Sequence, residues 1–253
     1  MKNTLLTVVL AFAASAAFAQ DASQVQKLFE AGQYQRVVDS AQPGGDPAVL
    51  YTAAQSHQKL GENDRALETY SALAARDEGD IWHSIGLSGQ QLMQDDVEGA
   101  LASARHAVEM DGGMAEAHYQ LGLVLAKRQE WPPAAAEFDR VTELNPSNAY
   151  AHYYGGLMHY RANRPDRMAN HFEQFLKLAP DAPERPEVMQ IHEDGSRKVT
   201  ISLGIGTSRK TDQFNNPLSG SQRRSGRWGR AAPPFDPSVI SAKQRKRRRQ
   251  PQS

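Results

Sequence analysis

Histidines at regular spacing are the side chains of this sequence that come closest to forming a chemical site. His118 and His152 are 34 residues apart, and His159 follows His152 by seven residues, on the same face of a helix. Two imidazoles placed two turns apart can ligate a metal ion. Bulky apolar residues, Leu50 and Trp82, hold the corresponding places earlier in the chain, so we assign the histidines to packing positions and expect no metal site.

The sequence carries no motif of a known catalytic chemistry. It has no glycine-rich phosphate loop, no Gly-x-Ser-x-Gly nucleophile and no His-Glu-x-x-His metal motif. It also has no cysteine, which excludes disulfides, zinc-thiolate sites and thiol nucleophiles. We therefore expect a non-enzymatic protein without a cofactor; an enzyme with an unrecognised site in a groove is the alternative.

Three columns of mostly apolar residues repeat every 34 positions through the middle of the chain. Within each repeat their spacing is i, i+4, i+7, which is one face of a helix. The columns are Ala66, Ala100, Ala134 and Met168; Tyr70, Ala104, Phe138 and Phe172; and Leu73, Ala107, Val141 and Phe175. A self-similarity of this period predicts a solenoid of helix–turn–helix repeats.

These repeats resemble the tetratricopeptide repeat, whose pattern is a bulky residue, Leu-Gly, an Ala and an aromatic in the second helix, and a closing Pro. The third repeat has all of them, as His118, Leu121-Gly122, Ala134, Phe138 and Pro146. The resemblance covers residues 47–182 and implies an all-α, right-handed solenoid of helix–turn–helix repeats. Because Gly86 and Gly122 are 36 residues apart, the turn of the second repeat, at 93–96, is expected to be two residues longer than the others.

The chain is expected to divide into a signal peptide, helical repeats and a tail. The predicted segments are a cleavable signal peptide at 1–19, a divergent N-terminal hairpin at 20–45, four repeats within 46–182 (47–79, 80–114, 115–148 and 149–182), a capping helix at 183–192 and a disordered basic tail at 193–253. The start is short and basic, continues with an apolar run and ends with Ala17-Phe18-Ala19, which is typical of a secretory signal cleaved after Ala19. We therefore expect a periplasmic or secreted protein; a membrane anchor is the alternative, although the apolar run is shorter than the roughly 20 residues of a spanning helix.

The formal net charge of zero results from two oppositely charged parts. Residues 20–195 contain 14 Lys/Arg against 27 Asp/Glu, whereas residues 196–253 contain 14 Lys/Arg against 2 Asp/Glu. Basic clusters of this kind bind phosphates through counterion release, so binding of the tail to an anionic membrane or to nucleic acid is the alternative function. Because the signal peptide argues against nucleic acid, we expect no nucleic-acid partner and at most weak binding of the tail to an anionic surface. An out-of-frame reading of the gene after about Ile191 is a second explanation of the tail.

The resemblance also implies a concave groove, lined by the first helix of each repeat. The residues expected to face it are Tyr51, His83, Tyr119 and Tyr153 in a first row, Gln55, Leu87, Leu123 and Leu157 in a second, and Lys59, Gln91, Lys127 and Arg161, with Tyr160, in a third. Tyrosines offer a large contact area at low entropy cost, and cations at the rim favour an acidic segment. We expect the groove to bind a peptide or segment of another protein in envelope assembly, maturation or secretion; packing of the groove wall is the alternative role of the tyrosines.

Overall fold

The computed structural model describes residues 21–192, and helices account for most of that range. The helices are α1 (Asp21–Glu30), α2 (Tyr34–Ser40), α3 (Pro47–Leu60), α4 (Asn63–Ala74), α5 (Ile81–Met93), α6 (Val97–Met110), α7 (Ala115–Lys127), α8 (Trp131–Leu144), α9 (Ala149–Arg161), α10 (Pro165–Leu178) and α11 (185–192). From α1 to α10, each helix packs against the next along the chain. The predicted all-α solenoid is confirmed, while the predicted signal peptide and basic tail lie outside the described residues.

The four repeats have the same length when it is measured between the starts of corresponding helices. First helices begin at Pro47, Ile81, Ala115 and Ala149, and second helices follow the same 34-residue interval. Each hairpin turn contains one residue of positive φ, again at equal spacing: Gly61, Asp95, Gln129 and Asn163. The expectation of a longer turn in the second repeat is therefore wrong, and the 36-residue glycine spacing reflects a shifted glycine within α5.

Short polar side chains fix where several of these helices begin. Asp46 lies one residue before the start of α3, and its side chain accepts a hydrogen bond from the backbone N–H of Ala48 at 2.8 Å. Asp80 caps α5 in the same way, and Asn148 caps α9. Such caps satisfy backbone donors that the first turn of a helix leaves without a partner.

The second helices form the packed spine of the array. Every residue of the three sequence columns is buried, with at most 2% of its surface exposed. Phe172 illustrates the packing, because a Cβ added to Gly156 of the preceding helix would lie 2.4 Å from its ring. No helix within residues 21–192 is both long and apolar enough to cross a membrane.

First helices of distant repeats contact each other, which shows that they line the inside of a curve. The hydroxyl of Tyr51 in α3 donates to Oε1 of Gln120 in α7, two repeats further on, at 3.0 Å. We call the surface formed by α3, α5, α7 and α9 the concave face.

The two ends of the array meet across this concave face. Four side chains, which we call the closing cluster, make the contact: Tyr34, Lys59, Tyr150 and Glu184. Lys59 Nζ lies 2.8 Å from Glu184 Oε1, and the Tyr150 hydroxyl donates to Glu184 Oε2 at 2.7 Å. The hydroxyls of Tyr34 and Tyr150 are 2.9 Å apart. Residues up to 125 positions apart in sequence are thereby joined.

Replacing Gly156 by Ala is expected to destabilise the fold. The new methyl group would overlap the buried Phe172 ring, and overpacking of this kind costs about 1–3 kcal/mol, more than the gain of about 1 kcal/mol in helix propensity. Gly79→Ala is the control, because nothing lies within 4 Å of its added Cβ, and its effect should stay within about 0.5 kcal/mol. Urea unfolding measures both variants; equal stabilities would contradict the packing described.

Replacing Glu184 by Gln is expected to destabilise the fold by about 3–5 kcal/mol, because a buried ammonium loses its counter-charge. Lys59 and Glu184 are 8% and 2% exposed at their side chains. The double variant Lys59→Met/Glu184→Leu should recover most of the loss, since no unpaired charge remains.

Glu173→Gln is the matched control, because Glu173 pairs with Lys177 on the open surface and should not change the urea midpoint. A Glu184→Gln variant as stable as the parent would show that the closing cluster does not hold the ends together.

Candidate functional site

The concave face places three of the predicted tyrosines at one level. Tyr51, Tyr119 and Tyr153 occupy the same position in α3, α7 and α9, and each is only 4–5% exposed. In α5 that position belongs to Ile85, because the turn of the second repeat is no longer than the others. His83 lies two residues earlier, half-buried, with an Nδ1 that is buried and lacks a hydrogen-bond partner among the described residues.

These tyrosines are packed against other rings of the chain itself. The rings of Tyr119 and Phe138 meet edge to face with centroids 5.5 Å apart. The ring centroids of Tyr153 and Phe175 are 5.4 Å apart. Aromatic pairs in such geometries stabilise a core beyond the area that they bury. The tyrosines therefore form the wall of the concave face, and their role toward a partner stays a prediction.

Burial also determines the charge state of these hydroxyls. Desolvation raises the pKa of Tyr51, Tyr119 and Tyr153 well above the usual value. It raises the pKa of Tyr34 to about 12. All four side chains are accordingly neutral at physiological pH, and they act as apolar surface with a hydroxyl rather than as bases.

The second predicted row lies at the centre of the concave face. Gln55, Leu123 and Leu157 occupy one level of α3, α7 and α9 and are half-buried. Gly89 holds that level in α5, and Leu87 lies two residues before it. A glycine here leaves room above the ring of Tyr70, which an added Cβ would meet at 2.4 Å.

The third row differs from prediction in the second repeat as well. Met93 holds the level at which Gln91 is expected, and the side-chain amide of Gln91 instead donates a hydrogen bond to Ser103 Oγ at 2.7 Å, joining α5 to α6. Tyr160, at the end of α9, is half-buried.

The three predicted rim cations are in different environments. Burial works to lower the pKa of Lys59, but the neighbouring Tyr154 and Glu184 outweigh it and hold that pKa above its usual value. The guanidinium of Arg161 lies over the ring of Trp131, 5.5 Å from its centroid. Lys127 is the most exposed of the three cations, and its Nζ lies 3.0 Å from Asp95 Oδ1. Lys127 is therefore the more accessible cation for a partner's carboxylate, because Lys59 is buried and paired with Glu184.

Two cavities open along the concave face. The first, of about 260 Å³, lies toward the N-terminal ends of α3 and α7 and is lined by Glu116 and Asn148 among others. The second, of about 300 Å³, lies toward their C-terminal ends. Phe29, Gln55 and Tyr119 line both.

The second cavity combines apolar walls with amide groups. Its lining includes Leu92, Met93, Leu123 and Tyr154, together with Gln55, Gln58, Gln120, Lys59 and Lys127. The Nε2 of Gln55 is buried and makes no close hydrogen bond within the described part of the chain, although the amide interacts with the neighbouring Tyr51 hydroxyl. A buried donor without a partner is costly, so this amide is suited to an acceptor brought in by a ligand.

Two contributions to this surface are missing from the sequence prediction. Phe29 of the N-terminal hairpin reaches the concave face, and its ring centroid lies 4.8 Å from that of Tyr150. Gln120 is 1% exposed and donates to Ser88 Oγ at 3.1 Å while accepting from Tyr51. Both contacts join residues far apart in the chain, and a pattern of 34 residues carries no information about them.

The histidines chosen by spacing are buried. His118 and His152 each direct Nε2 to a backbone carbonyl in the preceding loop, at 3.1 Å. His159 Nε2 lies 2.9 Å from Asp139 Oδ1. Within residues 21–192, the side chains that come together as potential metal ligands are Asp139, His159 and His171.

Comparisons with known proteins agree with this architecture. Family models of the tetratricopeptide repeat match residues 48–77, 91–142 and 119–183. No curated protein sequence matches the chain.

Several solved structures are similar to it. TTC0263 of Thermus thermophilus, a thermophilic TPR protein, is 21% identical over 65% of this chain and 87% of its own, with a TM-score of 0.47. YrrB, a TPR protein with an unusual peptide-binding site, is 22% identical over 57% and 74%, with a TM-score of 0.43. The first TPR domain of Spaghetti (RPAP3), bound to the HSP90 peptide SRMEEVD, is 13% identical over 49% and 96%, with a TM-score of 0.45.

The family matches fall on the same helices that the 34-residue columns predict and that pack as a regular array. Residues 48–183 thus form a helical solenoid that contains tetratricopeptide repeats.

Proposed function

We propose that the chain is a non-enzymatic scaffold that holds a segment of a partner protein on its concave face. Curved solenoids of helical repeats present their concave side as an extended binding surface. The observation that carries the proposal is the position of Gln55, which lines both cavities with a buried amide donor that has no close hydrogen-bond partner in the described residues.

The lining of the second cavity suits a short stretch of extended chain. Its apolar walls would receive a partner side chain, and Gln55 Nε2 would donate to a backbone carbonyl next to it. At about 300 Å³ the cavity is at the lower end of ligand-site volumes, which fits a side chain better than a whole helix. Lys127 at the exposed edge favours a segment with an acidic residue.

The N-terminal hairpin limits how a partner can lie. Phe29 lines both cavities, so a segment that crossed the whole concave face would have to pass along its ring. We therefore place the main contact in the second cavity, with Tyr119 as its wall and Leu123 on its floor.

Replacing Gln55 by Leu is expected to weaken partner capture about tenfold while leaving stability unchanged or slightly raised. The change removes one hydrogen bond to the partner protein, worth about 1.5 kcal/mol, and removes a buried donor that has no close hydrogen-bond partner among the described residues. The measurement is photocrosslinking of the full chain through a benzophenone residue at position 123, with the crosslinked protein identified and quantified by mass spectrometry.

Two controls separate the cavity from the rest of the surface. Gln174→Leu makes the same chemical change at an exposed position of α10 and should leave capture intact. A benzophenone at the exposed position 136 of α8 should not capture the same protein. Undiminished capture by the Gln55→Leu chain would contradict the proposal.

The proposed place of action is the cell envelope, supported by the signal-like sequence at residues 1–19. When the chain is produced in a Gram-negative bacterium, intact-mass analysis of the periplasmic fraction should show a protein that begins at Gln20. An Ala19→Arg variant, which disrupts the small residue required at the cleavage site, should keep its N-terminus. A cytoplasmic protein with an intact N-terminus would contradict export.

A further inference from the structure

A polar cluster between the third and fourth repeats combines two histidines with one carboxylate. The Nε2 atoms of His159 and His171 lie 2.9 Å and 2.8 Å from the same oxygen, Oδ1 of Asp139. All three donor atoms lie within 4.8 Å of one another. They come from three helices, α8, α9 and α10, so the fold rather than one helix brings them together.

The contact between His171 and Asp139 requires one positive charge. When His152 Nε2 donates to the carbonyl of Pro146, 3.1 Å away, Nδ1 of this buried ring is left as an acceptor for His171 Nδ1, which lies 3.3 Å from it. A neutral His171 then turns the lone pair of its Nε2 toward the carboxylate of Asp139. Either a second ring proton on His171 or a metal ion supplies the charge that makes this contact favourable.

We propose that Asp139, His159 and His171 bind one divalent transition-metal ion, with zinc as the best match. Two imidazoles and one carboxylate are a ligand set of zinc and of neighbouring metals, and a water molecule would complete four-coordination. Ligand atoms around a tetrahedral zinc ion are about 3.3 Å apart, as follows from bonds of about 2.0–2.1 Å. The nitrogen–oxygen distances in the cluster need to lengthen by only about 0.5 Å to reach that geometry.

The surroundings of His171 are those of a metal ligand. Its Nδ1 lies 3.3 Å from Nδ1 of His152, whose Nε2 faces the Pro146 carbonyl, and a partner of this kind orients the ring of a metal-bound histidine. Gly155 leaves space for the ring, since an added Cβ would lie 2.9 Å from it. The side chain of Asp139 is 23% exposed, which gives an ion a path from solvent.

The third repeat has the same helix packing but different residues at the two histidine positions of the cluster. Glu137 stands where the fourth repeat has His171, and it pairs directly with His118 at 2.7 Å. Leu125 stands where the fourth repeat has His159. An apolar side chain therefore fills that buried position in a repeat of the same fold, so packing alone does not require a histidine there.

Two features set the expected strength of the site. His159 Nδ1 is buried without a hydrogen-bond partner among the described residues, and loss of such a partner lowers metal affinity about 10–100-fold. Arg167 binds Asp139 Oδ2 at 2.9 Å, which orients the carboxylate but brings a like charge near the ion. We accordingly expect reversible binding that a chelator removes, and no requirement of the metal for folding.

Zinc titration of the untagged, chelator-treated full chain by isothermal calorimetry tests the proposal. The parent chain should bind one zinc ion, and His171→Gln and Asp139→Asn should each weaken binding more than tenfold. His118→Gln is the matched control, because it changes the position equivalent to His152 one repeat earlier, outside the cluster, and it should bind zinc like the parent. Circular dichroism verifies that each variant is folded.

Cobalt provides a readout that does not depend on any variant. Co²⁺ added to the parent chain should give visible absorption bands of a four-coordinate site, and zinc should remove them. Absence of zinc binding by the parent, or equal binding by His171→Gln, would overturn the proposal. So would an NMR spectrum in which His171 carries two ring protons before and after zinc is added, because the missing positive charge would then be a proton.

Discussion

The buried contact between Lys59 and Glu184 is the interaction on which the form of the concave face depends. An ammonium and a carboxylate so far from water are stable only as a pair, so the segment after the fourth repeat has to stay over the first repeat. Tyr150 and Tyr34 extend the same contact to the N-terminal hairpin. Because the pair joins the two ends, the solenoid is narrowed to a cleft, and Phe29 is held inside it.

Two groups of residues line the cleft: some are packed and form its wall, and others remain accessible to a partner. The tyrosines of the first helices are packed against one another and against the second helices, and they hold the curvature. The groups left to meet a partner are smaller and less regular: an amide donor, a few aliphatic side chains and one exposed cation. A scaffold with such a surface gains specificity from a few placed polar groups rather than from a large apolar area.

The sequence predicts the repeats well because their packing is local. Each 34-residue column places a residue against its neighbour in the next helix. Buried residues such as Ala134 and Phe138 can therefore be predicted from the sequence of adjacent repeats alone. The register of the second repeat is not predictable from its glycines. Ser88 holds the position in α5 that Gly122 and Gly156 hold in α7 and α9, and the nearest glycine is Gly89. A prediction from glycine spacing consequently puts His83 in the place of Ile85. Closure of the ends and the meeting of Asp139 with His171 depend on tertiary contacts between repeats, for which a periodic pattern has no signal.

Hydrogen–deuterium exchange of the full chain with and without its captured partner tests the binding role of the concave face most directly. Binding in the second cavity predicts slower exchange in α3 and α7, and in α1 around Phe29, while the backbone of α4, α6 and α8 stays unchanged. Protection confined to those second helices, or to residues outside 21–192, would show that the partner binds elsewhere and would contradict the account.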